Sequence, residues 1–348
     1  MESCRTVIFP EAYQVEWKQS PLPELDENQL LVKTAFSLIS PGTELALYTG
    51  THTGLLNPGN TWAKYPFTPG YAVVGSVEAV GANITDFQVG QRVFAMGAHA
   101  SHNVITYTPD SRSVFVLPDD LPGERAVFAR LAGISATALQ QAQVRLGDKT
   151  VVIGMGLIGV FAAQLFALQG ADVLGVDTVP GRLQAARACK IANVYQSDPH
   201  TALHSQLTGL LGDGKGNSDR ADIVIEATGV PEMANEAMEM VRQLGQVVLL
   251  GSPRGPIQMK TYDHIHVKGI TLTGAHEGLQ TIDGEEGRTR MLRYALHLIH
   301  TGQLTVDPLL THVLPAREAR QAYELLIHAK ETTLGVILDW REETRSNE

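Results

Sequence analysis

The sequence predicts an α/β protein of two domains, a β-barrel-like unit and a doubly wound parallel sheet flanked by helices. Three observations predict it. The 348 residues exceed what one hydrophobic core usually organises. The first third holds short runs rich in Val, Ile, Leu and Phe, broken at Pro41-Gly42, Pro58-Gly59, Pro69-Gly70, Gly81, Gly90 and Gly97. Beyond Leu121-Pro122-Gly123 the texture changes, and strand-like runs alternate with helix-like ones.

In the first part, Thr6–Phe9, Gln29–Ala35, Ala72–Val80 and Arg92–Met96 read as strands, and frequent turn residues between short apolar runs suit a barrel. Glu124 to Gln143 reads as one helix, with Ala126, Phe128, Leu131, Ile134 and Leu139 roughly on one face. Strand Thr150–Ile153, helix Leu157–Leu168, strand Asp172–Val176 and helix Arg182–Cys189 follow, then strand Ile223–Glu226, helix Glu232–Gln243 and strand Gln246–Leu250. Crossover helices between strands imply a parallel sheet buried on both faces. Residues 210–220 read as a polar, glycine-rich loop. Residues 263–273 read as a strand-pair region, on which His264 and His266 share one side. The tail reads as helix Arg290–His300, an extended Leu309–Val313, helix Ala316–Ala329 and strand Leu334–Leu338.

Composition excludes several function classes. The formal net charge of −10, without a local Lys/Arg cluster, argues against nucleic acid and anionic membranes as partners. Two cysteines, Cys4 and Cys189, make neither a disulfide framework nor a four-cysteine zinc lobe. The start, MESCRTVIFPEAYQ, has no apolar signal-peptide core, and no apolar run reaches the length of a membrane span, so the cytoplasm is the expected location.

The most specific local signal is Val151-Val152-Ile153-Gly154-Met155-Gly156-Leu157-Ile158-Gly159. It follows an apolar strand and opens a helix, which is the context that gives G-x-G-x-x-G its meaning. Gly154 permits a tight turn, Gly156 lets backbone approach a pyrophosphate, and Gly159 lets helix and strand pack closely. The first N–H groups of the helix, at Leu157 and Ile158, would face the phosphates. Asp177 ends the next strand, 23 residues past Gly154, where a carboxylate accepts the ribose hydroxyls and repels a 2′-phosphate. NAD is therefore the expected cofactor, although Arg182 offers a guanidinium that would suit a phosphate.

Gly70-Tyr71-Ala72-Val73-Val74-Gly75 through Gly81 resembles the signature segment of the medium-chain dehydrogenase/reductase family. Phe87 to Val93, Pro41-Gly42-Thr43-Glu44-Leu45 and Asp307-Pro308-Leu309-Leu310-Thr311-His312 resemble further segments of the same family, in the same order. The resemblance implies a GroES-like β-barrel catalytic domain at 1–132 and 272–348, and a Rossmann NAD-binding domain at 133–271, with the active site between them. It implies that Ala227-Thr228-Gly229, Gly251-Ser252 and His276 lie near the nicotinamide. The family's zinc is usually held by Cys, His and a further Cys or acid. Here Pro41, Tyr71 and Leu131 stand at the matching places, and none is a good zinc ligand, so no metal is expected.

Without zinc, a side chain must handle the substrate's hydroxyl proton. Thr43 matches the family's relay hydroxyl, Tyr71 holds a former ligand position, His99 and His102 lie in the loop that lines the family's pocket, and Glu44 follows Thr43. The resemblance falls nearest to bacteriochlorophyllide dehydrogenase-like and polyol dehydrogenase-like proteins. It implies a homodimer that interconverts a small secondary alcohol, such as a sugar, cyclitol or other polyol, with its ketone. Reduction of an enone or quinone, and a non-catalytic NAD(H) sensor, are the alternatives.

Overall fold

Runs such as Val151-Val152-Ile153 and Ile223-Val224-Ile225 have no polar face to offer water, so they settle as interior strands of a parallel sheet. A computed structural model describes residues 3–107, 113–211, 219–281 and 286–342. The chain divides into two compact units, Met1–Arg130 with Leu292–Glu348, and Leu131–Met291.

In the second unit the strands are β1 (Lys149–Ile153), β2 (Asp172–Asp177), β3 (Asn193–Gln196), β4 (Ala221–Glu226), β5 (Val241–Leu249) and β6 (Thr271–Gly274). They lie in the order β3-β2-β1-β4-β5-β6, with every pairing parallel. The order reverses between β1 and β4. That is the topological switch point of a doubly wound sheet, where the loops at the carboxyl ends diverge and leave a crevice. Val151, Val176, Val224 and Val247 pack with Ala237 and Met238 of helix Pro231–Met240 to form the core on one face.

The first unit carries a seven-stranded sheet. Its main path runs Leu310–Pro315, Gly335–Asp339, Gln29–Leu38, Val73–Val80, Arg92–Ala95, Val114–Val116, and His102–Thr106 also pairs with Gln29–Leu38. Leu30, Val32, Val77, Val93 and Ile105 fill its interior. A second core gathers Phe9, Leu47, Tyr48, Tyr323, Leu338 and Trp340.

The structure corrects three elements. The helix expected over 124–143 is two, Gly123–Ala126 and Ala129–Gln141. The turn between them holds Phe128, which is wholly buried with its ring against Gly335. The extended pair expected at 263–273 is a π-helical turn, Tyr262–Val267, followed by β6. His264 is buried there on Glu239, 2.9 Å away, so it does not share a side with His266 for a metal. Because β6 belongs to the sheet, the chain leaves the second unit later than the expected residue 272. Most of the loop read at 210–220 lies outside the described residues.

Tyr48 gives the second core of the first unit a pH dependence. Its ring stacks on Tyr323 at 5.3 Å, and its hydroxyl donates to Glu324 Oε1 at 2.5 Å. Burial, then the Glu324 carboxylate, pushes its pKa up to about 12. The unfolded chain releases this proton near pH 10. The stabilising contribution is therefore complete below about pH 10 and is lost as pH rises toward about 12. Thermal melts across that window should show falling stability, with a shallower fall in Tyr48→Phe. Equal slopes would show that another group governs the transition.

Candidate functional site

At the carboxyl end of β1 the chain turns at Gly154, whose φ of +94° lies in the left-handed region. Its N–H donates to Val176 O at 2.7 Å. A Cβ there would sit 2.7 Å from the Thr228 side chain, and one on Gly159 would sit 1.7 Å from Gly154 O. Both glycines are thus demanded by packing within the protein. Gly156 differs: a Cβ there would meet nothing within 4 Å. It precedes helix Leu157–Leu168, whose start has no side-chain cap, and an uncapped helix N-terminus is suited to an anion.

Asp177 ends β2 and is buried. Its Oδ2 accepts the Met155 N–H at 2.7 Å, and its Oδ1 accepts the Val179 N–H at 2.9 Å. The carboxylate therefore clasps the glycine turn. Arg182 Nη1 lies 3.6 Å from the same carboxylate. The guanidinium is thereby spent in part on balancing Asp177, which makes it a weaker candidate for a 2′-phosphate.

Sequence reasoning missed Glu226, the last residue of β4 and almost fully buried. Its Oε1 accepts the Thr228 N–H at 2.6 Å and the Thr228 hydroxyl, and both oxygens lie 3.1 Å from the Gly229 N–H. Burial raises its pKa, and the hydrogen bonds from Thr228 and Gly229 oppose that rise. An acid ending an otherwise apolar strand was the available signal. It fixes the Ala227-Thr228-Gly229 loop, where Gly229 and Gly251 meet backbone to backbone: a Cβ on Gly251 would lie 2.3 Å from Gly229 N. Thr228 and Ser252 remain exposed beside this contact, as does His276, whose Nδ1 accepts the Gly278 N–H at 3.1 Å.

In the first unit, Thr43 is exposed at the start of the short helix Thr43–Tyr48. The next residue, Glu44, points inward. Its Oε2 accepts the Tyr323 hydroxyl at 2.7 Å and lies 2.9 Å from His99 Nε2, and its Oε1 accepts the Ser40 N–H at 3.0 Å. His99 Nδ1 is 2.7 Å from Ser37 Oγ, which also accepts the Trp340 indole N–H at 2.8 Å. A proton on Nε2 lets His99 donate to Glu44 Oε2, and the Ser37 hydroxyl meets Nδ1.

The loop expected to expose His99 to substrate is therefore corrected: His99 is 0% exposed and both ring nitrogens are engaged. Its burial follows from the surrounding pairing, in which Val7 N–H donates to His99 O and Ala100 bridges Thr6. His102 is held on one side, its Nδ1 3.0 Å from Ser101 Oγ, while its Nε2 lies 3.2 Å from Glu78 Oε2 without hydrogen-bond geometry. Tyr71 is half-buried, with the Arg130 guanidinium 5.6 Å over its ring. Of the five candidates in this unit, Thr43 is exposed, whereas the Tyr71 hydroxyl oxygen is shielded from solvent although its ring is only half-buried.

Residues 26–139 match the model of the alcohol dehydrogenase GroES-like domain, and residues 158–292 match that of the zinc-binding dehydrogenase. The chain belongs to the alcohol dehydrogenase-like medium-chain superfamily. Among the superfamily's characterised proteins it is similar to L-galactonate-5-dehydrogenase of Escherichia coli K12, at 25% identity over 97% of this chain and 99% of the relative. It is also similar to the quinone oxidoreductase of Sus scrofa, at 27% identity over 91% of this chain and 90% of the relative. The solved structure of an Escherichia coli CFT073 alcohol dehydrogenase complexed with NADH shares the fold, with a TM-score of 0.80, 17% identity, and 97% and 100% of the two chains covered.

Zinc is named in the matching family model, and the residues that the resemblance puts at the ligand places do not fit it. Pro41 and Leu131 carry no donor atom, and Tyr71 offers only a phenol. Among the described residues, no three His, Cys, Asp or Glu side chains come together in a way that could hold a metal ion. No described helix is long and apolar enough to cross a membrane.

Proposed function

We propose that this chain is an NAD-dependent, zinc-independent oxidoreductase that interconverts a secondary alcohol, of sugar, cyclitol or other polyol type, with its ketone. The carrying observation is the Gly154–Gly159 turn, where two glycines are required by internal packing and the third faces open space, with Asp177 clasped beside it. Nicotinamide, when bound, supplies the hydride acceptor. The Gly156, Leu157 and Ile158 backbone would bind the pyrophosphate and Asp177 the ribose. Ala227, Thr228, Gly229, Gly251, Ser252 and His276 would border the nicotinamide portion.

The proton of the substrate hydroxyl needs an acceptor. Thr43 supplies an exposed hydroxyl for that transfer, and Tyr71, whose hydroxyl is shielded in this structure, would supply a second once uncovered. Glu44 and His99 act as positioning residues, because they hold the helix that starts at Thr43 from beneath. His102 faces Glu78 of strand Val73–Val80 at 3.2 Å and has a structural role in this reading. The reading includes a homodimer formed through the sheet edge at β6.

NAD should bind at least about tenfold more tightly than NADP. Asp177→Ala should narrow that gap while weakening both, since Met155 and Val179 lose their acceptor. Equal dissociation constants in the parent protein would refute the assignment. In turnover assays, NAD reduction with a polyol panel should survive chelation. Stoichiometric zinc on which activity depends would overturn the zinc-independent reading. The quinone oxidoreductase relative, and the lack of a metal-ligand cluster among the described residues, favour a second reading, enone or quinone reduction, which NADPH consumption with enones but not polyols would select.

A further inference from the structure

The first unit contains a cavity of about 510 Å³ that none of the residues assigned above lines. One wall is a single face of helix Glu286–His300: Arg293, Leu296, His297 and His300, spaced i, i+3, i+4 and i+7. The floor is the strand Val114–Val116 with Pro118. Asp86 and Tyr107 close the far side.

Charge and apolar surface are arranged unevenly around it. Arg293 pairs with no acid among the described residues, and the His297 ring nitrogens make no hydrogen bond among them. His300 is spoken for, with Nε2 2.9 Å from Asp120 Oδ1. On the far side, Tyr107 donates to Asp86 Oδ2 at 2.6 Å, so that carboxylate is already part-satisfied. Val114, Phe115, Val116, Pro118 and Leu296 give the lining its apolar surface, and Val116 is 49% exposed.

We infer that this cavity is a binding site for a small organic anion, a carboxylate or phosphate ester carrying an aromatic or branched apolar body. The anion would meet the Arg293 guanidinium, which recognises carboxylate and phosphate bidentately, with His297 one turn further along. The body would lie on Phe115 and Val116. A volume within the usual range for small-molecule sites exceeds what a bare inorganic ion fills. Such a ligand is distinct from the dehydrogenase substrate, because Thr43, Tyr71 and the Gly154–Gly159 turn contribute nothing to the lining.

Phenyl phosphate is the probe. It is titrated calorimetrically into the full chain with NAD and NADP both present in excess, so that dinucleotide-binding surfaces are filled. One saturable site is expected, with phenol and inorganic phosphate each at least about tenfold weaker. Arg293→Gln should weaken binding about tenfold. Val116→Trp, which fills the cavity from an exposed position, should abolish it. Both substitutions are at exposed residues, and unchanged thermal melts would show that the fold persists. The inference is overturned by no saturation below roughly 10 mM, by inorganic phosphate matching phenyl phosphate, or by parental affinity in either variant.

Discussion

Gly159→Ala should destabilise the second unit by about 3 kcal/mol or more, whereas Gly156→Ala should leave its stability unchanged and weaken dinucleotide binding at least about tenfold. The two glycines sit three residues apart in one motif, yet their surroundings are opposite. A methyl on Gly159 would lie 1.7 Å from the Gly154 carbonyl oxygen and 2.9 Å from its carbon. Neither is the end of a flexible side chain, so helix Leu157–Leu168 must move away from β1. That overpacking belongs at or beyond the upper end of the usual range, and for a unit of this size it corresponds to a Tm loss of about 6–12 °C. A methyl on Gly156 meets no protein atom within 4 Å. Its cost would arise only when a ligand's phosphates approach the backbone. Thermal melts and calorimetric titration of both variants separate the effects. Parental NAD affinity in Gly156→Ala would mean that the pyrophosphate does not lie on this turn.

The second large effect concerns Glu44. Its carboxylate accepts the Ser40 N–H and the Tyr323 hydroxyl and faces His99 Nε2, all inside the first unit. Glu44→Ala strands these buried donors, and the loss should reach about 3–5 kcal/mol. Glu44→Gln keeps one acceptor oxygen for Ser40. The Tyr323 hydroxyl can turn to accept from the new amide, but His99 would have to carry its proton on Nδ1 and donate it to Ser37 Oγ, so an intermediate loss of about 1–2 kcal/mol is expected. Tyr323→Phe, which removes one donor and leaves the carboxylate its others, should lose about 1 kcal/mol. Urea unfolding of the three variants would give this ranking. A Glu44→Ala protein within 1 kcal/mol of the parent would show that the cluster carries no such weight.

What could be read from the sequence is what is local. The parallel sheet followed from apolar runs of strand length, and the glycine turn followed from spacing within nine residues. The packing at the helix break, Phe128 against Gly335, was hidden because the two residues lie some two hundred positions apart. The Glu44 cluster was hidden for the same reason. Residues 37, 44, 99, 323 and 340 share no pattern in the chain, and His99 in a glycine-flanked stretch reads as exposed until the pairing around it is known. Asp177 was found at its place, but its hold on the Met155 and Val179 amides belongs to three dimensions. Glu226 was passed over because a carboxylate at a strand end resembles any other polar terminus until its burial is seen.

Strand Gly335–Asp339 lies between Leu310–Pro315 and Gln29–Leu38 in the larger sheet, and Trp340 just beyond it closes the cluster on Ser37. During synthesis the ribosome delivers Gln29–Leu38 roughly three hundred residues before the strand that completes its neighbourhood. The whole of Leu131–Met291 emerges in between and carries its own contiguous core. The second unit can therefore fold while the first is still waiting for its last strand. Translation order thus leaves the N-terminal segment as the late folder, with Gln29–Leu38 lacking that partner for most of the polypeptide's birth.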